Sequence, residues 1–535
     1  MIKVFAFKHG FFAVAFAFAM LLITSCRDGS VDDAVTGHND FRFLEVNIER
    51  IQQGYDNGEY TVTDVVTAFL DRIEKIDRNG PALNSIITIN PEALAIAGEL
   101  DTEMAAGNKR GPMHGVPVVL KDNIDTSDKM PTTAGSRALA GSFPLMDSFV
   151  AKKLREAGAV IIGKANLSEW ANFRGELSTS GWSGFGGQTR NPYVTDRNPC
   201  GSSSGSAVAV SANLAVVAIG TETNGSIMCP SHATGIVGIK PTIGLVSRSG
   251  IIPISWSMDI AGPMARSVRD AAITLGVLAG PDPEDQATQV PDIPYYEDYT
   301  RFLNENGIEG KRIGFFRAPL GRNFKVDSLM LEAVEFFKSR GAEIIDIETI
   351  TAPNTGSHAY RVMLFEYREG LNSYFESLGP DAPVKNLEEL IEFNRNDSLT
   401  LRYFNQRYLE LANETGGTGS PEYADALRAM RSGSRENGID RVMDKHDLHA
   451  IIAPTGSPAW KTDLVNGDSF QLGSSSPAAQ SGYPNITLPM GSVGGLPVGL
   501  SIFGRAYSEP LLLEIAYSYE RGTMHRLVPR FLETD

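Results

Sequence analysis

Two short stretches gather hydroxyls among glycines: Cys200-Gly-Ser-Ser-Ser-Gly-Ser206 and Gly220-Thr-Glu-Thr-Asn-Gly-Ser-Ile227. A serine becomes a nucleophile only when a neighbouring group takes its proton. Glycine lets a backbone approach a substrate closely, and successive N–H groups in such a turn form an anion-binding nest. A Gly/Ser tract also serves elsewhere as a flexible linker. Here Ala207 to Ala218 follows at once and is almost wholly apolar. A glycine turn running straight into a buried helix or strand reads as a site.

The partner these serines need is a base. Val116-Pro-Val-Val-Leu120 is predicted as a buried strand that delivers Lys121-Asp122-Asn123 at its C-terminal end. A lysine after an apolar strand commonly turns outward to water, yet ligand sites in α/β sheets gather at those strand ends. A lysine made neutral near pH 7 by burial activates a serine, directly or through a second hydroxyl. Other chemistries fit less well. Gly201-Ser-Ser-Ser-Gly205 nominally matches a nucleophile elbow, but Thr195 to Cys200 before it is not a strand. His232, His358, His446, His449 and His525 stand in no recognisable setting. Ser-x-x-Lys, His-Glu-x-x-His, a Walker loop and Gly-x-Gly-x-x-Gly are absent, so no metal or cofactor is expected.

The surrounding pattern predicts elements able to hold these residues. Thr61 is a plausible N-cap, with Asp64 in the first turn and Val65, Val66, Phe69, Leu70, Ile73 and Ile76 at helical spacing. Residues 85–89 and 159–164 read as strands, 91–106 as a helix, and Val150, Leu154 and Ala157 mark another helix. Residues 170–192 read as a long ordered loop. Strand–helix alternation through residue 280 argues an α/β fold. Pro281, Pro283, Pro291 and Pro294 mark a connector. Strands resume at 311–316 and 342–347, separated by an amphipathic helix. Residues 360–445 read as mostly helical, with Tyr360, Phe365, Tyr367, Tyr374 and Phe375 more readily core than pocket. Strands at 450–454, 485–489 and 497–503 and a helix near 511–519 close the chain.

The N-terminus opens with Lys3 and Lys8, an apolar run from Phe11 to Ile23, then Thr24-Ser25-Cys26. This predicts a secretory signal over 1–25, too short for a stable span. Ile23 to Cys26 resembles the bacterial lipobox, with lipidation at Cys26; an ordinary signal with an incidental cysteine is the alternative. Residues 26–42 read as a polar tether. The expected location is the bacterial cell envelope, exported and membrane-anchored on the periplasmic or outer-membrane side. The formal charge of −16, from 48 basic and 64 acidic side chains, disfavours nucleic acid as a partner. Beyond Cys26 the chain has only Cys200 and Cys229, which flank the proposed site; small packing residues are the favoured reading, and a pair formed in an oxidising envelope is the alternative.

From about residue 43 to about residue 530 the chain resembles the amidase signature family. The resemblance rests on Gly111-Pro-Met-His-Gly-Val-Pro-Val-Val-Leu-Lys-Asp-Asn123, Ala157-Gly-Ala-Val-Ile-Ile-Gly-Lys-Ala-Asn166 and the two Ser/Gly stretches. Gly235-Ile-Val-Gly-Ile-Lys-Pro-Thr242 and Ala261-Gly-Pro263 continue it in order. The family implies a large mixed central β-sheet sandwiched by α-helices, with the core here at 60–280 and 447–530 and a variable, largely helical substrate-side region at 281–446. It implies a Ser–cisSer–Lys triad and no cofactor. Residue by residue, Lys121 matches the base, Ser202 the bridging serine on a cis peptide, Ser226 the nucleophile, and Ser203 a supporting serine. The backbone N–H groups of Thr223, Asn224, Gly225 and Ser226 match the oxyanion hole.

Two departures stand out. Cys200 and Ser204 occupy positions that are glycine in the commoner family form, and its Thr-Asp-x-Gly-Gly-Ser-Ile becomes Thr221-Glu222-Thr223-Asn224-Gly225-Ser226-Ile227. These changes resemble the branch of bacterial peptide amidases, where Asn224 usually corresponds to aspartate. The expected activity is therefore hydrolysis of a carboxamide C–N bond through an acyl-enzyme, on a peptide amide or related small amide, with water as co-substrate. Aryl-acylamidase or esterase activity is the alternative. A tRNA amidotransferase glutaminase subunit, which export would separate from tRNA, or an inactive binding protein is less favoured.

Overall fold

The structure is a computed structural model that describes residues 40–534. The predicted signal segment, Cys26 and most of the predicted tether lie outside the described residues. From Phe41 onward the chain forms one compact unit.

Eleven strands form one mixed sheet. In chain order they are β1 (Ile86–Ile89), β2 (Pro117–Lys121), β3 (Val160–Ala165), β4 (Val217–Glu222), β5 (Val237–Lys240) and β6 (Ile260–Ala265). They continue as β7 (Arg312–Phe316), β8 (Glu343–Ile347), β9 (Ala450–Pro454), β10 (Asn485–Val493) and β11 (Leu496–Phe503). The lateral order is β1-β3-β2-β4-β6-β5-β10-β11-β9-β7-β8. β3, β2 and β4 run parallel, as do β9, β7 and β8, while antiparallel pairs fill the middle and close the β1 edge. Parallel strands covered by helices on both faces read as unbroken apolar runs, and β2, β3, β4 and β9 are buried at every position.

Local signals explain the framing helices. Thr61 caps the helix Val62–Arg72, and its hydroxyl and the Asp64 carboxylate form a reciprocal capping box. That helix buries Val62, Val65, Val66 and Phe69 against the sheet core. The apolar run after the Ser/Gly turn splits into a fully buried helix, Ser204–Ser211, and β4. Gly205 permits this packing, because a Cβ there would stand 2.2 Å from the Ser85 carbonyl oxygen. The largely helical region between β8 and β9 begins with Thr355–Ser377 and has its own apolar clusters. Tyr367, Tyr374 and Phe375 are buried there, as core residues.

Candidate active site

β2, β4 and the turns that follow them bring the sequence candidates together. Lys121 ends β2 and is fully buried. Its Nζ donates to Ser202 Oγ at 2.7 Å, to Thr221 Oγ1 at 2.9 Å and to the Thr221 carbonyl at 3.1 Å. Burial pushes the Lys121 ammonium down to about 7, with the Asp259 and Glu222 carboxylates acting in the opposite sense. Asn123 Nδ2 donates to the same Thr221 Oγ1. Lys164, at the end of neighbouring β3, braces the segment after Lys121 by donating to the Ile124 carbonyl and Thr132 Oγ1.

The Gly201–Ser202 peptide is cis. Ser202 is buried and its carbonyl accepts from the Ser168 N–H. Gly201 fits closely, since a Cβ there would stand 2.2 Å from Ser168 Oγ and that hydroxyl would have to move. Ser203 joins the two motifs: its N–H donates to the Ser226 carbonyl and its Oγ donates to the Thr221 carbonyl. Ser204, where the commoner form has glycine, turns its hydroxyl back onto the Cys200 carbonyl.

Ser226 lies on the wall of a cleft of about 420 Å³, together with Gly201, Thr223, Asn224 and Gly225. Gly225 has φ +86°, the left-handed backbone that favours glycine. Behind Ser226 the buried Glu222 carboxylate accepts from the N–H groups of Ile227 and Met228 at 2.8 and 3.0 Å, fixing the turn that carries the serine. Asn224 reaches across the cleft wall, accepting from Ser475 Oγ and donating to Ser476 Oγ. Thr223 Oγ1 donates to Asp259, whose pKa burial raises to about 6. The roles of Glu222, Asp259 and Thr221 were missed from sequence: Glu222 acts within its own turn, Thr221 meets Lys121 through the pairing of β2 and β4, and Asp259 meets Thr223 through the pairing of β4 and β6.

Ala171 and Asn172 also line the cleft, and with the buried Trp170 before them they are three successive residues with φ between +51° and +70°. Each costs about 1–2 kcal/mol in the left-handed region, and such backbone is held at functional sites by its surroundings. The buried Glu169–Arg174 ion pair straddles this turn. Phe173, Met228, Met363, Trp460 and Phe470 make much of the cleft apolar, and Asp468 is its charged lining residue. His232 is buried, with its pKa pushed by burial down to about 3.

One expectation about the cysteines is corrected. Cys200 and Cys229 are joined in a disulfide, with Cα atoms 5.8 Å apart across a sequence separation of 29. The turn before Ser202 and the helix after Ser226 face each other, so residues read as packing side chains meet. The bond ties the two serine-bearing segments directly. Closing a loop of this length contributes about 3–4 kcal/mol to stability in the chain-entropy account. Urea unfolding of the Cys200→Ala/Cys229→Ala variant should show a correspondingly lower stability, and unfolding curves that coincide with the parent would refute a stabilising role.

The model of the Amidase family matches residues 64–513. A protein of Arabidopsis thaliana named a probable amidase is 40% identical over 505 residues, covering 92% of this chain and 93% of that protein. An amidase-named protein of Schizosaccharomyces pombe is 36% identical over 525 residues, covering 91% and 87%. The native peptide amidase of Stenotrophomonas maltophilia superposes with a TM-score of 0.88 at 47% identity, covering 92% of this chain and 99% of that one. These findings correct the expected localisation: three of the curated relatives, 34–40% identical, are plant and fungal proteins named as amidases, and nothing in them supports a lipoprotein of the bacterial envelope. Among the described residues no helix is long and apolar enough to cross a membrane.

Proposed function

The chain belongs to the amidase family and is an amide-hydrolysing enzyme, and from that premise we propose that it cleaves C-terminal peptide amides or related small carboxamides through Lys121, Ser202 and Ser226. The observation that carries the reading is the buried Lys121 amine, 2.7 Å from Ser202 Oγ beside a cleft that contains Ser226.

With its pKa near 7, Lys121 is available as a neutral amine at neutral pH. In that state two N–H bonds serve the Thr221 carbonyl and hydroxyl, and the nitrogen lone pair receives the Ser202 hydroxyl proton. Ser202 in turn takes the proton of Ser226, whose Oγ attacks the substrate carbonyl. The negative charge that develops on oxygen is met by the backbone N–H groups of Thr223, Asn224, Gly225 and Ser226; one such donor is typically worth about 10²–10³ in rate. Reversal of the relay protonates the leaving nitrogen and frees ammonia from a primary amide. Water then attacks the Ser226 ester by the same relay and releases the acid. Ser203 keeps the bridging turn in register with the nucleophile turn.

The cleft supports the substrate class. Its aromatic and methionine walls suit an apolar side chain next to the scissile amide. No lysine or arginine is among its described lining residues, so a free terminal carboxylate finds no counter-charge, whereas a neutral carboxamide needs none. The likeness to a structure named peptide amidase points the same way. The test is ammonia release from a panel of peptide amides, simple carboxamides, free glutamine and anilides. Peptide amides with a bulky apolar C-terminal residue should be turned over best. Turnover of anilides alone would move the substrate class to aryl amides, and turnover of glutamine alone would move it to the glutaminase class.

A further inference from the structure

The Thr223 end of the oxyanion turn is held by a side chain outside both serine motifs. Thr223 Oγ1–H donates to Asp259 Oδ1 at 2.6 Å. The other oxygen, Asp259 Oδ2, accepts from the N–H groups of Ile254 and Ser255 at 2.8 and 2.7 Å. Asp259 immediately precedes β6, which pairs with β4 out to Ile260 opposite Glu222. The carboxylate thus stands beside the point where β4 gives way to the turn.

What Asp259 grips on its far side is itself fixed. The fully buried Glu366, on the helix Thr355–Ser377, accepts from Ser255 Oγ, the Ser257 N–H, Ser257 Oγ and the Tyr423 hydroxyl. Segment 254–257 is therefore clamped between two carboxylates and forms a rigid post between the sheet and the helical region. A post is needed because Thr223 is not packed solid. Ala171, Thr223 and Ile254 line the main cleft and also a second cavity of about 200 Å³, which Asp259 lines as well. Without a tether, the turn has space to relax into and its N–H groups can lose their aim.

We propose that Asp259 is a positioning residue for this reaction, which holds the oxyanion turn in its reactive conformation through the Thr223 hydroxyl. The assignment rests on the reading of Ser226 as nucleophile and of residues 223–226 as the oxyanion site. Asp259 acts through Thr223 and touches no substrate. Its effect belongs to the transition state, because the N–H groups must be aimed at the oxyanion and not at the ground-state carbonyl. Alanine cannot replace it: the Thr223 hydroxyl and the Ile254 and Ser255 N–H groups all lose their acceptor, whereas asparagine would keep an oxygen on those N–H groups and donate its NH₂ to the Thr223 hydroxyl.

The experiment measures covalent labelling by an alkyl fluorophosphonate, followed by intact mass. Ser226 Oγ forms the bond to phosphorus, fluoride leaves, and the serine proton passes to the relay, so no natural substrate is required. The parent enzyme, Thr223→Val, Thr223→Ser, Asp259→Ala and Ser226→Ala are compared. Thr223→Val and Asp259→Ala should lower the maximal labelling rate by roughly 10–100-fold, with the half-saturating probe concentration little changed. Thr223→Ser, which keeps the hydroxyl, should restore the rate to within about 3-fold of the parent, where loss of packing alone would not. An unchanged rate in Thr223→Val, a loss confined to half-saturation, or a Thr223→Ser defect equal to that of Thr223→Val would overturn the assignment. Labelling that persists in Ser226→Ala, or is absent from the parent, would instead show that the nucleophile reading is wrong, and the Asp259 assignment would fall with it.

Discussion

Ser226→Ala should lower amide turnover by at least about 10⁴-fold, the scale on which serine hydrolases lose rate when the nucleophile is removed. The fold should survive, because the structural part of Ser226 is its backbone. Its carbonyl receives the Ser203 N–H, and its turn is fixed by Glu222 through the N–H groups of Ile227 and Met228. The hydroxyl stands on the cleft wall. The check is ammonia release from a peptide amide, with a thermal unfolding curve for parent and variant. A near-parental rate in a folded variant would remove Ser226 from the mechanism and reopen the choice among Ser202, Ser203 and Ser204. Loss of rate together with loss of the unfolding transition would call for Ser226→Gly, which removes the same hydroxyl.

The parts of this architecture that speak through local chemistry are readable from sequence. Thr61 and Asp64 announce a helix start because the capping bonds are three residues apart. The apolar runs leading to Lys121, through β3 and at β9 announce buried strands because both of their faces are covered. β6 is harder to read. Pro263 argues against a central strand, yet it pairs with β4 on one side, and on the other the ladder to β5 covers only Met264 and Ala265. The Cys200–Cys229 pairing was misjudged for a related reason. Spacing along the chain says nothing about two turns that face each other only after β4 takes its place in the sheet. Ser202, Ser203 and Ser226 lie in glycine-rich motifs, which mark themselves, and Lys121 stands where an apolar strand ends. Glu222 and Asp259 are ordinary carboxylates until the fold sets them against the N–H groups and hydroxyl they receive.

The pH dependence should report Lys121. The mechanism needs its neutral form, so the rate should rise with pH through an ionisation near 7 and level off above it. The sign follows from the cause: burial disfavours the ammonium, lowers the pKa from its ordinary value, and leaves the base protonated and idle on the acid side. Lys121→Arg then separates base chemistry from charge. A guanidinium keeps the hydrogen-bond donors for Ser202 and Thr221 but cannot release its proton in a protein, so it cannot act as a base at any working pH. It should lose activity as fully as Lys121→Ala, by about 10³-fold or more, with no recovery up to pH 9. Profiles of kcat/KM against pH for the parent and both variants decide the matter. A parent profile flat from pH 5 to 9, or an active Lys121→Arg, would mean that Lys121 only orders the bridging serine, and the proton of Ser226 would have to leave by another path.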